Sequence, residues 1–180
     1  MAKVTTGTGD TGYTGLLGDQ RVAKYDPRPD TFGTVDEATS ALGLARAMTQ
    51  DSRAKEIIYH IQQELYLLMA ELATPPKNYE KMGYRMTVEH VQGLEKIEEE
   101  LKQEVEIPNK FIIPGDTPDG AALDLARTII RRAERMAVKL LHDSVIENTE
   151  VVRYLNRLSD LVFILARYIE VKSTLAQMPE

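Results

Sequence analysis

The chain has 180 residues, 43% of them hydrophobic, which suffices for one globular domain with its own core. Its formal net charge of -6 argues against a nucleic-acid-binding protein, and the lack of cysteine excludes disulfides, thiolate nucleophiles, iron–sulfur clusters and cysteine-ligated zinc. The chain begins without a secretory signal pattern, and its most apolar late run, residues 161–166, is too short to span a membrane. We therefore expect a single cytoplasmic domain over residues 1–180, with no nucleic-acid or membrane partner.

Residues 1–33 are predicted to form a long N-terminal coil arm that is rich in glycine and threonine. A Gly-x-Gly-x-x-Gly sequence starts at Gly7, but it lacks the leading strand and the following helix of a dinucleotide-binding motif, so we reject that motif. Glycine-rich turns still present backbone N–H groups that can bind phosphate, and Lys24 adds a cation. The sequence leaves open both a phosphate-binding arm and a plain N-terminal tail.

Apolar periodicity and capping signals predict five helices after the arm, within residues 34–180. The first begins at about Thr34, where Glu37 would complete a capping box, and the prolines before it indicate extended structure. No segment shows the alternation of a strand. The predicted ranges are 34–48, 51–73, 87–105, 118–142 and 147–176. The expected fold is therefore all-α, most simply a five-helix bundle with a long Gly/Thr-rich coil arm.

One set of side chains on the second helix calls for a comparison with ferritin-like metal sites. Glu56, His60 and Glu64 lie on one side at four-residue spacing. A ferritin-like site needs Glu-x-x-His pairs at three-residue spacing on two helices, and no such pair is present. We therefore interpret His60 as a surface or hydrogen-bonded histidine.

The connection before the fourth helix contains an apolar knot of three consecutive residues, Phe111, Ile112 and Ile113. In a loop, such a knot either fills the core or lines a ligand pocket. Core filling is the more common arrangement, but the sequence leaves both interpretations open.

The fourth helix carries a row of arginines. Arg127, Arg131 and Arg135 follow one another at four-residue spacing and share one side, with Glu134 beside them. Arginine binds phosphate oxygens in a bidentate manner, so this cluster in an acidic chain suits a small anionic ligand. Surface salt bridges are the alternative.

Two further polar groups lie on the first and fifth helices. Asp36 and Glu37 fall near the predicted start of the first helix, where complementation of the helix dipole is the simpler explanation. Asn156, Arg157 and Asp160 lie beside the apolar side of the fifth helix. They either pair within that helix or close the same pocket as the arginine row.

Taken together, five segments resemble the PduO-type ATP:cob(I)alamin adenosyltransferases. The resemblance covers nearly the whole chain in order, and the motifs on the fourth and fifth helices are its most specific part. The segments are Thr6-x-Thr-Gly-Asp-x-Gly-x-Thr-x-Leu16, Gly33-Thr-Val-Asp-Glu37, Ile113-Pro-Gly-x-Thr117, Ala126-Arg-Thr-x-x-Arg-Arg-Ala-Glu-Arg135 and Tyr154-Leu-Asn-Arg-Leu-Ser-Asp160.

The resemblance implies a five-helix bundle that assembles as a homotrimer with active sites between subunits. It implies transfer of the 5′-deoxyadenosyl group of ATP to the cobalt of cob(I)alamin, with help from Mg²⁺, to give adenosylcobalamin and tripolyphosphate. A corrin reductase and an adenosylcobalamin-dependent enzyme are the further partners that it suggests.

The resemblance also implies roles for individual residues. Phe111 would lie at the lower face of the corrin, and Asp36 would pair with Arg127 across the subunit interface. The catalytic residues would be Arg131, Glu134, Asp36 and Arg127. The arm, residues 1–33, would wrap the nucleotide, and no metal ligand is assigned. The ATP-binding residues would be Thr6, Gly7, Thr8, Gly9, Thr14, Gly15, Lys24, Arg131, Glu134, Arg135 and Asn156.

Three positions depart from the family pattern. Gly7 and Thr11 stand where many members carry a basic residue, and Asp116 stands where glycine is usual. These departures put nucleotide affinity, metal dependence and corrinoid preference in question. The alternative functions are a non-catalytic nucleotide-binding regulator or chaperone of a corrinoid enzyme, and a structural helical trimer whose arginines form interface salt bridges.

Overall fold

The computed structural model describes residue 5, residues 7–107 and residues 109–176, and this part of the chain is mainly helical. The helical class is thus confirmed. Six α-helices occur within these residues where five were predicted, because a single-turn helix, α3, forms in the predicted loop 77–86. The elements are β1 (Tyr13–Gly15), β2 (Arg21–Ala23), α1 (Pro27–Met48), α2 (Ser52–Leu72), a 3-10 turn (Pro76–Asn78), α3 (Tyr79–Met82), α4 (Val88–Lys102), α5 (Pro118–His142) and α6 (Thr149–Ala176).

The long helices pack side by side around one core. α1 lies between α2 and α5, while α6 lies between α5 and α4. Their inward stripes bury leucine and isoleucine completely, as at Leu42, Leu65, Ile130 and Leu158. Burying each such side chain contributes roughly 1.5–3 kcal/mol, so packing fixes the position of α5 against α6. None of the helices among the described residues has the length and hydropathy needed to cross a membrane.

The predicted start of the first helix is wrong. α1 begins at Pro27, and Asp26 caps it by accepting a hydrogen bond of 3.0 Å from the backbone N–H of Arg28. Prolines are tolerated in the first turn of a helix, because the N–H groups there need no partner within the helix. Thr34 lies inside α1 instead of capping it, and its hydroxyl donates to the Asp30 carbonyl at 2.9 Å.

The arm was predicted to be entirely coil, but it contains two short strands. β1 and β2 form an antiparallel hairpin in which Thr14 lies opposite Val22. Three-residue strands are too short to show a pattern of alternation, so they cannot be predicted from the sequence. The arm is docked on the bundle, because Leu16 is buried and the Leu17 N–H donates to the Ala73 carbonyl at 2.8 Å.

The bounds of the later helices are close to those predicted. α5 matches the predicted range, with Thr117 as its N-cap, and the Thr117 hydroxyl accepts from the Gly120 N–H at 3.1 Å. α4 ends at Lys102, short of the predicted 105. α6 begins at Thr149 because the Asn148 carboxamide oxygen accepts from the Glu150 N–H at 3.1 Å.

Candidate functional site

The packing of α5 on α6 places the arginine row next to a polar side chain of α6. The Asn156 Nδ2 group donates to Glu134 Oε1 at 2.9 Å. The other Glu134 oxygen lies 3.9 Å from an Arg131 guanidinium nitrogen. Arg135 in turn donates from Nη1 to the Arg131 carbonyl at 2.9 Å. These four predicted ATP-binding residues therefore form one contiguous group in the folded chain.

A cavity of about 400 Å³ opens beside this group. One part of its lining is charged and the other part is apolar. The cations suit an anionic ligand, while the isoleucine and phenylalanine side chains suit the edge of a large apolar ring. Its lining residues are Glu98, Lys102, Ile107, Arg127, Arg131, Ser159, Asp160, Phe163 and Ile164.

Asp160 combines both roles that the sequence left open for the polar group of the fifth helix. Its carboxylate pairs with Arg157 at 3.2 Å and also lines the cavity. Burial raises the pKa of Asp160, and the negative charges of Glu98 and Glu134 add to this rise, whereas Arg157 and Arg131 oppose it. The cavity therefore carries a carboxylate whose charge is less favourable than in water.

Arg127 lies in the same row, but its described partner is in its own helix. Its Nε group lies 3.4 Å from Asp124 Oδ1. The second Asp124 oxygen accepts a hydrogen bond of 2.5 Å from Arg167 of α6. Sequence reasoning missed Asp124 and Arg167. The signal that could have identified them is a charged residue inside an apolar stripe. Asp124 lies three residues before Arg127 in the stripe of α5, and Arg167 lies among the core residues of α6.

Three further charged residues of the motifs, Arg132, Glu37 and Asp36, lie outside the group around Glu134. Arg132 leaves the row and forms an ion pair with Glu37 of α1. Glu37 is therefore not part of a capping box, since α1 begins ten residues earlier, at Pro27. Asp36 is exposed on α1. Its expected pairing with Arg127 involves a second subunit and stays a prediction.

The predicted arm residues form a second group, built around Lys24. The Lys24 N–H donates to the Gly12 carbonyl at 2.9 Å, and its ammonium lies close to Gly9, where an added Cβ would be 3.1 Å from Nζ. Arg21 donates to the Thr8 carbonyl at 2.7 Å. A side chain at Gly9 would displace the Lys24 ammonium. Gly7 and Gly12 have positive φ, and Thr14 and Gly15 belong to β1, whereas Thr6 lies outside the described residues.

The apolar knot does not fill the core. Phe111 is 93% exposed and Ile113 is 80% exposed. Ile107, at the other end of the same connection, lines the cavity. Two large apolar side chains exposed in one short loop are typical of a ligand-binding or interaction surface. Core filling is therefore wrong, and a role of the knot in ligand binding stays a prediction.

The histidine of the second helix is a surface residue, in agreement with our interpretation. His60 is exposed, and its Nε2 lies 4.0 Å from Glu56. Glu64 accepts a hydrogen bond of 2.7 Å from the hydroxyl of the buried Tyr154. Over the described part of the chain there is no group of three or more histidine or carboxylate side chains placed to hold a metal ion.

Comparisons with known proteins agree on one family. The sequence model described as cobalamin adenosyltransferase matches residues 4–169. A corrinoid adenosyltransferase from Citrobacter freundii is 36% identical over 94% of this chain and 96% of its own length. One from Bacillus subtilis is 39% identical over 95% of this chain and 88% of its own length. A variant of the PduO-type ATP:corrinoid adenosyltransferase from Lactobacillus reuteri, solved with cobalamin and ATP, superposes with a TM-score of 0.86 at 35% identity, covering 96% of this chain and 93% of that one.

Proposed function

Because this chain belongs to the cobalamin adenosyltransferase family, we propose how its residues carry out the reaction of a corrinoid adenosyltransferase. The enzyme transfers the 5′-deoxyadenosyl group of ATP to the cobalt of a reduced corrinoid. One observation supports our assignment above all. Arg131 belongs to the contiguous group with Glu134, Arg135 and Asn156, and it lines a cavity that combines arginine, lysine and carboxylate side chains with apolar ones.

In this reaction the nucleophile is the substrate's own Co(I). Its electron pair attacks C5′ of the ribose and forms the Co–C bond, while the C5′–O bond breaks and its electron pair leaves with tripolyphosphate. Cobalt is thereby formally oxidised to Co(III). The protein then needs no nucleophilic side chain, and the absence of cysteine is no obstacle. Its task is to position C5′ and to stabilise the charge that grows on the departing phosphates.

We assign phosphate binding to Arg131 and Arg135 of the arginine row and to Lys24. Arg131 is exposed and borders the cavity, so its guanidinium is available to phosphate oxygens. Arg135 is anchored by its contact with the Arg131 carbonyl and faces the same side of α5. The Gly-rich arm around Gly9 adds backbone N–H groups, and Lys24 lies next to them.

Glu134 is the residue best suited to hold Mg²⁺ with ATP. Mg²⁺ prefers oxygen ligands and is usually bound by one or two carboxylates together with substrate phosphates. Glu134 fits this requirement, because Asn156 occupies one of its oxygens and fixes its orientation, while the other faces Arg131 at 3.9 Å. When bound, Mg²⁺ would neutralise phosphate charge. Asn156 is therefore assigned to orienting Glu134 as well as to binding ATP.

We assign the lower face of the corrin to Phe111. Its 93% exposure and its place in the loop that begins beside Ile107 support this role. An apolar ring there can fill the space of the lower axial ligand without coordinating cobalt. Loss of that ligand makes Co(II) easier to reduce. Phe163 and Ile164, which line the cavity, would pack against the corrin edge.

The finer assembly is also a proposal. We infer a homotrimer of bundles made of the five long helices, in which the part of the arm that precedes α1, residues 1–26, covers the arginine row of the next subunit. The exposed position of Asp36 on α1 supports its pairing with the partner subunit's Arg127. A cytoplasmic location suits the requirement for ATP and for a reduced cobalt. A corrin reductase and an adenosylcobalamin-dependent enzyme would act before and after this step.

The decisive experiment follows the visible spectrum of chemically reduced cob(I)alamin during anaerobic incubation with ATP, Mg²⁺ and the protein. We expect a light-sensitive Co–C product and stoichiometric tripolyphosphate. Nucleotide binding without either product would favour the alternative, a regulator or chaperone of a corrinoid enzyme. Absence of ATP binding would favour a purely structural trimer.

A further inference from the structure

We propose that Asp124 and Arg167 are positioning residues, which hold the guanidinium of Arg127 at the wall of the cavity. They do so through a chain of alternating charges that runs from Glu170 through Arg167 and Asp124 to Arg127. This inference rests on the proposed function, because it takes Arg127 to act in the reaction.

The two oxygens of Asp124 serve two different arginines. Oδ2 accepts the 2.5 Å hydrogen bond from Arg167, and Oδ1 lies 3.4 Å from Nε of Arg127. A guanidinium has five donors in a fixed fork, so a contact through Nε sets its plane and leaves both terminal nitrogens for another anion. Arg127 borders the cavity. The terminal nitrogens are thus available to a ligand or to the partner subunit's carboxylate.

Burial makes this arrangement rigid. Asp124 is 3% exposed and Arg167 is 5% exposed, and neither charge would be tolerated there alone. Glu170 Oε2 lies 2.6 Å from Arg167 Nε, so Asp124 is not the only carboxylate that balances Arg167. Burial lowers the pKa of Arg167, but hydrogen bonds and charge from Asp124 and Glu170 outweigh this and raise the pKa overall. Arg167 therefore stays charged, and two carboxylates, Asp124 and Glu170, balance that charge.

The same network reaches two other parts of the proposed site. The Arg167 guanidinium lies 5.2 Å from the ring centroid of Phe163, which lines the cavity. At the far end, the Glu170 carboxylate packs against Gly120 in the first turn of α5, directly after the loop that bears Phe111. The network thus joins the start of α5 to the arginine row. An ion pair that only held α5 and α6 together would need no residue beyond Asp124 and Arg167.

A double-mutant cycle on the whole protein distinguishes positioning of Arg127 from a purely structural role of Asp124 in holding α5 and α6 together. Turnover would be measured with pre-reduced cob(I)alamin for wild type, Asp124→Asn, Arg127→Ala and the double variant. If Asp124 acts through Arg127, Asp124→Asn lowers kcat/KM about tenfold or more in wild type but causes no further loss in the Arg127→Ala background. An equal loss of kcat/KM in both backgrounds would overturn the proposal, because Asp124 would then act without Arg127 and have only a structural role.

A second variant guards against loss of folding. Asp124→Asn combined with Arg167→Met and Glu170→Gln removes the Arg167 charge together with both carboxylates that pair with it, so no buried charge of the network is left unpaired. We expect a wild-type melting temperature with reduced kcat/KM, and wild-type kcat/KM would overturn the proposal. The matched control is Glu150→Gln, which removes an exposed pair at 2.8 Å with the same three-residue spacing, to Arg153, and should leave turnover unchanged.

The failure of this inference differs from that of the proposed function. Reduced turnover in Arg127→Ala with wild-type turnover in Asp124→Asn overturns only the positioning role. Wild-type turnover in Arg127→Ala overturns both the positioning role and the assignment of Arg127 to the site. Absence of adenosyl transfer by the unaltered protein overturns the proposed function itself.

Discussion

Replacing Arg131 by alanine should nearly abolish turnover without unfolding the protein. The Arg131 side chain is 48% exposed, and its charged neighbour is Glu134 at 3.9 Å. A pair at this distance with one exposed partner contributes roughly 0.2–1 kcal/mol to folding, and alanine partly offsets the loss through its higher helix propensity. Removing a donor that stabilises developing charge in a transition state costs roughly 2.7–4 kcal/mol. The expected result is therefore a fall in kcat of about 10²–10³-fold at nearly unchanged stability.

Two measurements on the same preparation test this expectation. Anaerobic formation of the Co–C bond from pre-reduced cob(I)alamin gives kcat, and urea unfolding followed by circular dichroism gives the free energy of unfolding. Arg153→Ala is the control, because Arg153 is 53% exposed on α6 and pairs with Glu150 at 2.8 Å with the same three-residue spacing. A kcat for Arg131→Ala within about threefold of the control would refute the assignment of Arg131 to phosphate, since the lost interaction would be worth less than about 0.7 kcal/mol.

Three further predictions follow from side-chain exposure and close contacts. Phe111→Ala should leave the unfolding free energy unchanged, because Phe111 is exposed, yet slow Co(II) reduction more than reaction of pre-formed Co(I); equal loss in both assays would contradict its proposed place below the corrin. Gly120→Ala should destabilise by about 1–3 kcal/mol in urea unfolding, because the new Cβ would lie 2.7 Å from a Glu170 oxygen, whereas Gly93→Ala on α4, with open space, should stabilise by up to about 1 kcal/mol. Burial raises the pKa of Asp160 in the folded state, so the protonated carboxyl stabilises the fold fully below the usual pKa of 3.8, and this contribution is lost as pH rises through the raised value. The unfolding free energy of wild type relative to Asp160→Asn should therefore fall over that pH range. A difference that does not change with pH would argue against burial of the carboxyl.

The helices and their order were predictable because each long helix carries its own local signals. α5 is the clearest case, since Thr117, Pro118 and the apolar stripe define it without reference to the rest of the chain. The start of α1 is harder to predict, because proline is typical both of extended structure and of the first turn of a helix. At Pro27 it occupies a first turn, and only the capping contact of Asp26 distinguishes the two.

The arginine row and the motif residues around Glu134 and Asn156 could be identified from the sequence, because spacing on a helix fixes which side chains share a face. Which of these side chains contact one another could not be identified from the sequence. The hydrogen bond between Glu134 and Asn156 joins residues of two helices, and its length depends on how α5 and α6 pack. For the same reason the contact of Arg127 with Asp124, and of Asp124 with Arg167, could not be predicted from the sequence.

The sequence by itself determined the helical class, the family and the candidate residues, because these depend on periodicity, capping and residue type along the chain. Only the tertiary structure decided which charges are buried, which are paired and which face the cavity. In the folded chain Phe111 is exposed, Arg132 forms an ion pair with Glu37, and Asp124 lies between two arginines. The physical reason is that burial and charge pairing depend on distances between helices, which no local pattern specifies.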